Sequence, residues 1–539
     1  MRPAARSPDK VVHVGRPASP GLVLGPVIID QARTGPRRVA GDPATERAAL
    51  EAALDEAMTA LGELIAAHTG EAADMLEFQL ALATDETLSE PAFAAIAAGA
   101  AADVAWTDAV DALIADYQIA EEEYFRARAT DLADLRDRVL ARLRGDAEVS
   151  AVLPEAAILV ADDITPSRFL STDWTGRGIA LAAGSATSHV AMLARARGVP
   201  MAIGLGPVDA TDGDLALLDG EAGRLVVRPD PGERAAFADA RGALERRRVA
   251  VAAAARRPAL TASGERVQVM INVADPAELD GIDPAICDGI GLARTELMFH
   301  AGAGLPDEAA QLAAYRRLIA WAAGRPVVVR TLDAGGDKPI PGYTVDNEPN
   351  SFLGMRGVRL SLRHPEVFRV QLRALLRAAT DGDIRIMVPM VAIPGEMQRV
   401  RGLLAEAAAA LGREQIPHRV PPLGMMVEVP AAALALEHFD TDFVSIGSND
   451  LIQYVMAASR DAPGLGDLTD PTAPAVLKLI AMTVATAEAR AIPISLCGDA
   501  GGDPAVVPAL LAAGLRCLSV APSAVGAVKQ AIVGWEPAR

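Results

Sequence analysis

The chain has 539 residues, 51% of them hydrophobic, with 70 Asp and Glu against 51 Lys and Arg and a formal net charge of −19. That balance excludes a broad nucleic-acid-binding face and favours small anionic ligands held in local arginine pockets, or basic protein partners. Mean hydropathy is +0.22, yet much of it is alanine, and Pro91 to Ala102 and Ile179 to Ala194 are too short or too interrupted by polar residues to span a bilayer.

The length suits roughly three domains. Met1 to Pro8 carries basic residues with no apolar core behind them, so no secretory signal is expected. The cysteines Cys287, Cys497 and Cys517 stand at no metal-ligand spacing, which suits a reducing cytoplasm.

In chain order, Val11 to Gly21 and Leu22 to Ile29 read as short strands broken by Gly and Pro. From Asp42 to Arg144 the periodicity turns helical, rich in Ala, Leu and Glu, with breaks expected near Gly70, Thr84 to Pro91 and Gly99. A four-helix subdomain inserted into an α/β domain is the expectation. Between Gly41 and Arg144 stand 22 acidic residues and 7 arginines, a charge of −15.

Strand-like runs resume at Ala157 to Ala161, Gly178 to Ala182, Met201 to Gly204, Leu215 to Gly220 and Gly223 to Val227. Within this part, Gly184-Ser185-Ala186-Thr187-Ser188-His189 leads into Val190 to Pro200. Thr187 or Ser188 reads as an N-cap, and Gly198 with Pro200 as a stop, which sets His189 in the first turn of a short helix. Free N–H groups and the positive end of the helix dipole favour an arriving anion there, so a neutral imidazole could attack phosphorus and carry the phosphoryl group. A capping or packed histidine is the plainer alternative. Glu233 to about Arg257 then reads as a charged connecting helix.

From about Leu260 onward one grammar repeats: an apolar β-rich run, a loop, a helix. The runs are Val267–Asn272, Gly289–Leu292, Val327–Arg330, Ile384–Pro389, Leu423–Val427, Phe443–Ile446, Ile494–Cys497 and Cys517–Val520, which together predict a (β/α)8 barrel. In such a barrel chemistry sits at the carboxyl ends of the strands. Those ends carry Arg294 and Glu296, Arg330 and Asp333, Glu428, Asn449 and Asp450, and Cys497. Singly, each has a bland reading: an Arg294–Glu296 pair, a capping Glu428, a Cys497 that is a small buried hydrophobe. Polar residues on five strand ends of one rim favour a site. Arg294, Arg330, Lys338, Arg356 and Arg460 suit a ligand bearing phosphate and carboxylate groups. Glu428 and Asp450 supply hard oxygen ligands for Mg²⁺.

Five stretches together resemble enzyme I of the bacterial phosphoenolpyruvate-dependent sugar phosphotransferase system. They are the segment 184–189, Gly289 to Glu296, Arg330 to Lys338, Met426-Val427-Glu428-Val429-Pro430, and Ser445 to Tyr454. The resemblance covers Val11 to about Gln530, with the motifs in the family's order. It implies an α/β multidomain chain: a phosphohistidine α/β domain at 1–40 and 145–228, a helical phosphocarrier-binding subdomain at 41–144, a linker helix at 229–259 and a phosphoenolpyruvate-binding barrel at 260–539. It further implies that His189 is phosphorylated from phosphoenolpyruvate and passes the group to a histidine-containing phosphocarrier protein. Arg294, Arg330, Lys338, Arg356, Asn449 and Arg460 would bind phosphoenolpyruvate, Glu428 and Asp450 would hold Mg²⁺, and Cys497 would donate the proton. A cytoplasmic homodimer joined through the barrel is implied as well. The family's Cys-Gly-Glu is Cys497-Gly498-Asp499 here, and Ser185-Ala186 replaces its usual residues before Thr-Ser-His. A pyruvate,phosphate dikinase-type enzyme shares the later motifs, but here an acidic helical insert without a Gly-rich phosphate loop stands before them. A non-catalytic regulatory paralogue is the other rival, against which the retained histidine, cations and carboxylates weigh.

Overall fold

The structure is a computed structural model that describes residues 10–30, 38–67, 71–84, 86–118, 123–145, 153–185, 188–296, 305–336, 340, 342–345, 348–459 and 465–536. It divides into two compact units, Met1–Leu244 and Glu245–Arg539.

The first unit opens with strands β1 (Val11–Val14), β2 (Arg16–Ser19) and β3 (Leu22–Ile29). Five helices follow: α1 (Pro43–Ala67), α2 (Glu71–Ala83), α3 (Glu86–Ala97), α4 (Ala102–Gln118) and α5 (Glu123–Arg144). The chain returns through β4 (Ile158–Ala161), α6 (Pro166–Ser171), β5 (Gly178–Leu181), α7 (His189–Arg197), β6 (Met201–Ile203), β7 (Leu215–Asp219), β8 (Arg224–Val227) and the first part of α8 (Pro231–Ala255), whose residues from Glu245 on belong to the second unit. The sheet order is β1-β8-β7-β3-β4-β5-β6-β2. Its centre, β3 to β6, is parallel, and β4 and β5 are apolar at every position because both faces are covered.

The insert therefore has five helices among the described residues, where sequence periodicity predicts four. No Gly or Pro marks the segment between α4 and α5. That reversal comes from packing: Ala102, Trp106 and Val110 share one core with Leu132, Leu135 and Val139, and the Trp106 indole donates to the Arg136 carbonyl at 3.2 Å. Pro91 lies inside α3 rather than in a break. Buried Asp134 of α5 accepts from Gln79 Nε2 at 3.0 Å and from the Ser167 hydroxyl and N–H at 2.6 and 3.2 Å, which ties the insert to the first turn of α6.

The second unit holds the short β9 (Ala259–Leu260) and then β10 (Arg266–Val273), β11 (Ile290–Ala293), β12 (Val327–Arg330), β13 (Ile384–Val388), β14 (Leu423–Val427), β15 (Val444–Ile446), β16 (Ile494–Leu496) and β17 (Cys517–Val520). Each of the eight predicted runs is a strand. β10 to β17 are parallel, and β10 pairs with both β17 and β11, so the sheet closes into a barrel. Helices pack around it; Pro365–Ala378, for instance, buries Phe368, Leu372, Leu375 and Leu376 on one side. Lys529 is buried, and among the described residues it forms no ion pair with a carboxylate. Its ammonium donates to the carbonyls of Ala255, Arg257 and Ile286 at 2.8, 3.0 and 2.7 Å, so the C-terminal end of α8, which is itself part of the second unit and where the helix dipole favours a cation, is anchored within that unit.

Candidate active site

Parallel strands all leave the barrel at one end, so residues that follow them in sequence meet at one mouth. Arg294 follows β11, Arg330 ends β12, Glu428 follows β14 and Cys497 follows β16, while Asn449 and Asp450 lie in the first turn of the helix Ser448–Met456 after β15.

Several of these side chains join in one buried chain of charges. Arg330 Nη2 donates to Glu296 Oε1 at 2.9 Å, and its Nη1 lies 3.2 Å from Asp333 Oδ2. Arg356 reaches the same Asp333 oxygen at 3.1 Å and holds Asp450 with both nitrogens at 3.2 and 3.3 Å. The sequence leaves open an Arg294–Glu296 pair; the partner of Glu296 is Arg330. Glu428 Oε1 accepts from the Met390 N–H at 2.6 Å. Two glycines make this packing possible. A Cβ at Gly447 would stand 2.8 Å from Glu428 Oε2, and Gly335, at φ +99, admits the Arg356 Cβ at 2.7 Å from where its own would be.

Glu296, Asp333, Glu428 and Asp450 are each at most 6% exposed, as are Arg330 and Arg356. Four buried carboxylates thus face two buried guanidinium groups. Burial works against the charge on both arginines, but the neighbouring carboxylates outweigh it and push their pKa values up. Glu428 is forced the other way. Burial, then repulsion from Asp450 and Asp333, raises its pKa to about 8, against the pull of Arg330 and Arg356.

That surplus of buried negative charge is what a divalent cation would neutralise, so the site fits Mg²⁺. Among the described residues no three His, Cys, Asp or Glu side chains form a ready-made metal cage. A pair of carboxylates, with the remaining ligands from substrate and water, suits Mg²⁺ rather than a structural zinc.

The other predicted residues surround this network. Arg294 is half-buried and lines a cavity of ≈ 480 Å³ with Asn272, Glu278 and Asp499. Asn449 donates from Nδ2 to Asp499 Oδ2 at 2.8 Å and accepts at Oδ1 from the Asp499 N–H at 2.9 Å. Cys497, 2% exposed, packs with Leu292, Val328, Met387, Met426 and Phe443, and burial pushes its thiol up to about 11. Lys338 and Arg460 lie outside the described residues. In the first unit His189 opens α7, with Ser188 as N-cap accepting from the Ala191 N–H at 3.3 Å and Gly198 in the left-handed conformation as the stop; the His189 side chain is outside the described residues.

Groups that carry no sequence signature of a site hold this rim in place. Buried Gln371 accepts from the Leu332 N–H at 3.1 Å and donates to Thr295 and Tyr315 at 3.4 and 3.3 Å, and Thr295 donates to the Arg330 carbonyl at 3.1 Å. Tyr454, inside one of the recognised motifs, has its hydroxyl 3.4 Å from Arg356 Nη1 and donates to the Phe352 carbonyl at 2.6 Å. A glutamine in the middle of an amphipathic helix gives no signal in one sequence.

Family models match the chain in three consecutive pieces: "PEP-utilising enzyme, N-terminal" over 14–128, "PEP-utilising enzyme, mobile domain" over 153–223 and "PEP-utilising enzyme, PEP-binding domain" over 248–536. A phosphoenolpyruvate-protein phosphotransferase of Priestia megaterium is 34% identical over 496 residues, 89% of this chain and 86% of its own length. The chain belongs to the phosphoenolpyruvate-protein phosphotransferase family. A second member, from Bacillus sp. (strain S), is 37% identical over 420 residues, 76% of this chain and 72% of its own. A multiphosphoryl transfer protein of Rhodobacter capsulatus is 39% identical over 455 residues, and there the chain spans about half of the relative, 54% of its length. Among the described residues no helix is long and apolar enough to cross a membrane.

Proposed function

We propose that this protein is a phosphoenolpyruvate-protein phosphotransferase that phosphorylates His189 from phosphoenolpyruvate, releases pyruvate and passes the phosphoryl group to a histidine of a phosphocarrier protein. One observation carries the reading: the buried chain Glu296–Arg330–Asp333–Arg356–Asp450 beside Glu428, at the mouth of the barrel that matches the phosphoenolpyruvate-binding domain.

In this reading Arg294, Arg330, Lys338, Arg356 and Arg460, with Asn449, bind the carboxylate and phosphate of phosphoenolpyruvate through guanidinium, ammonium and amide donors. Glu428 and Asp450 hold Mg²⁺, which supplies Lewis-acid stabilisation of charge on the substrate oxygens when bound. Neutral His189, at a helix N-terminus whose free N–H groups favour phosphate, forms an N–P bond as the P–O bond to the enol oxygen breaks. The enolate left behind takes a proton on its methylene carbon from the Cys497 thiol. Burial keeps that thiol protonated at neutral pH, as a donor must be.

The helical insert, with its charge of −15, is the docking face for a phosphocarrier with a basic patch. The protein works as a cytoplasmic homodimer joined through the barrel, and its domains are bounded as the family pattern implies. Incubation with phosphoenolpyruvate and Mg²⁺ followed by mass spectrometry tests the core of this reading. One acid-labile phosphoryl group on His189 is expected. Label on Ser185 or Ser188, or label retained by His189→Ala, overturns it.

A further inference from the structure

A proton donor must be recharged. Once Cys497 has protonated the enolate it is a thiolate, buried among Leu292, Val328, Met387, Met426 and Phe443, and those apolar walls carry no proton to it. On one side the wall is different. The inward face of a barrel strand is ordinarily branched aliphatic, yet β15 and β16 place two serines opposite each other, Ser445 paired with Ser495.

The Ser495 hydroxyl donates to Ser445 Oγ at 2.9 Å. With its acceptor site so engaged, the Ser445 hydroxyl has its own proton left to donate, and Cys497, two residues beyond Ser495 and on the same face, is its diagonal neighbour across the strand pair, while the thiol faces the Ile446 carbonyl 3.7 Å away. Ser445 and Cys497 are 1% and 2% exposed, whereas Ser495 is only half-buried. The backbone of Cys497 is held too: Asn272 Nδ2 donates to the Cys497 carbonyl at 3.1 Å, and the Ser519 hydroxyl donates to Asn272 Oδ1 at 2.7 Å. The charged groups facing the thiol are Glu428, Arg330 and Arg294; of these only the carboxylate can exchange a proton near neutral pH, and it belongs to the metal pair.

We propose that Ser445 and Ser495 form a hydroxyl relay that returns a proton to Cys497 after each turnover. The inference rests on the reading of Cys497 as proton donor. The S–H bond breaks and a C–H bond forms at the methylene carbon of the enolate. The thiolate then takes the Ser445 hydroxyl proton while Ser445 takes that of Ser495, and Ser495 takes one from water. Hydroxide is left to the bulk buffer, and no oxidant or reductant is involved. Both serines are positioning residues, since neither reaches the substrate.

The full-length protein can be tested with phosphoenolpyruvate, ¹³C-labelled pyruvate and Mg²⁺ in D₂O. Exchange of carbon label between pyruvate and phosphoenolpyruvate needs only Cys497, because the thiolate left by one pyruvate can take the methyl proton of the next. Deuterium enters the pyruvate methyl group only if the thiolate is recharged from solvent. Native protein should show both. Ser445→Ala and Ser495→Ala should keep carbon exchange within about twofold and lose deuterium incorporation by roughly tenfold or more, the scale of a lost proton-transfer route. Ser495→Thr, which retains a hydroxyl at the half-buried position, should restore it. Deuterium that keeps pace with carbon exchange in both alanine variants overturns the relay, and so does an equal fall of the two rates. If carbon exchange survives in Cys497→Ala, the proton-donor reading itself fails, an outcome separate from either.

Discussion

Asn449 and Asp499 grip each other twice, through Asn449 Nδ2 to Asp499 Oδ2 at 2.8 Å and the Asp499 N–H to Asn449 Oδ1 at 2.9 Å. The reciprocal pair fixes which way the amide faces and leaves one Nδ2 hydrogen for a ligand in the mouth. Asp499 closes the run Cys497-Gly498-Asp499, and its short carboxylate reaches Asn449.

Removing that grip should therefore act on substrate binding. Asp499→Ala is expected to raise the KM for phosphoenolpyruvate by roughly three- to tenfold, the range for one lost hydrogen bond at an exposed site, with kcat little changed. Asp499→Asn should fall between. Steady-state kinetics with a saturating phosphocarrier protein reads the split; a fall in kcat at unchanged KM would remove Asp499 from amide positioning.

Arg356 spans Asp333 and Asp450 with a planar fork while nearly fully buried. An ammonium cannot serve both carboxylates in that geometry. Arg356→Lys should destabilise the barrel unit by about 2–4 kcal/mol, because a buried carboxylate loses its partner. Denaturant unfolding measures this, and an unchanged midpoint at unchanged slope would show the pairing to be dispensable.

Glu428 makes the metal-free site sensitive to pH. Its folded pKa, about 8, lies above its ordinary value of 4.5, so the folded chain holds the proton more tightly than the unfolded chain. The resulting stability is complete below about pH 4.5 and is lost as pH rises through about 8. Thermal unfolding in chelator should show native protein losing stability across that window and Glu428→Gln losing less, a difference of roughly a few kcal/mol at most. Mg²⁺ should flatten the native curve and leave the variant almost unmoved. Parallel curves for the two proteins would make Glu428 a plain structural carboxylate.

Cys497→Ala should fold, at a cost of about 1 kcal/mol for a small buried side chain, and should still bind phosphoenolpyruvate. Formation of pyruvate should slow by roughly a hundredfold or more as the proton donor is lost, while transfer from phosphorylated His189 to the carrier stays near the native rate, since that step forms no C–H bond. Equal slowing of both half-reactions would leave the thiol a packing residue.

Strand periodicity and strand-end chemistry suffice to read the barrel from the sequence, because eight apolar runs in a βα grammar have few other ways to bury themselves. Position alone likewise brings Arg330, Glu428, Asp450 and Cys497 to one mouth, since each directly ends or closely follows a parallel strand. Helix capping in the sequence is enough to open α7 at His189, with Ser188 and Gly198 as its bounds. Tertiary structure decided the rest. Whether Arg294 or Arg330 pairs with Glu296 depends on side-chain direction at the rim, and the fold of α5 back on α4 depends on Trp106 and Leu135 meeting across a link without Gly or Pro. The Ser445–Ser495 contact depends on the register of two strands that lie 50 residues apart in the chain. Local propensity and periodicity act over a few residues, so they fix elements and their order, while the partners of each buried polar group are set by which distant element packs against it.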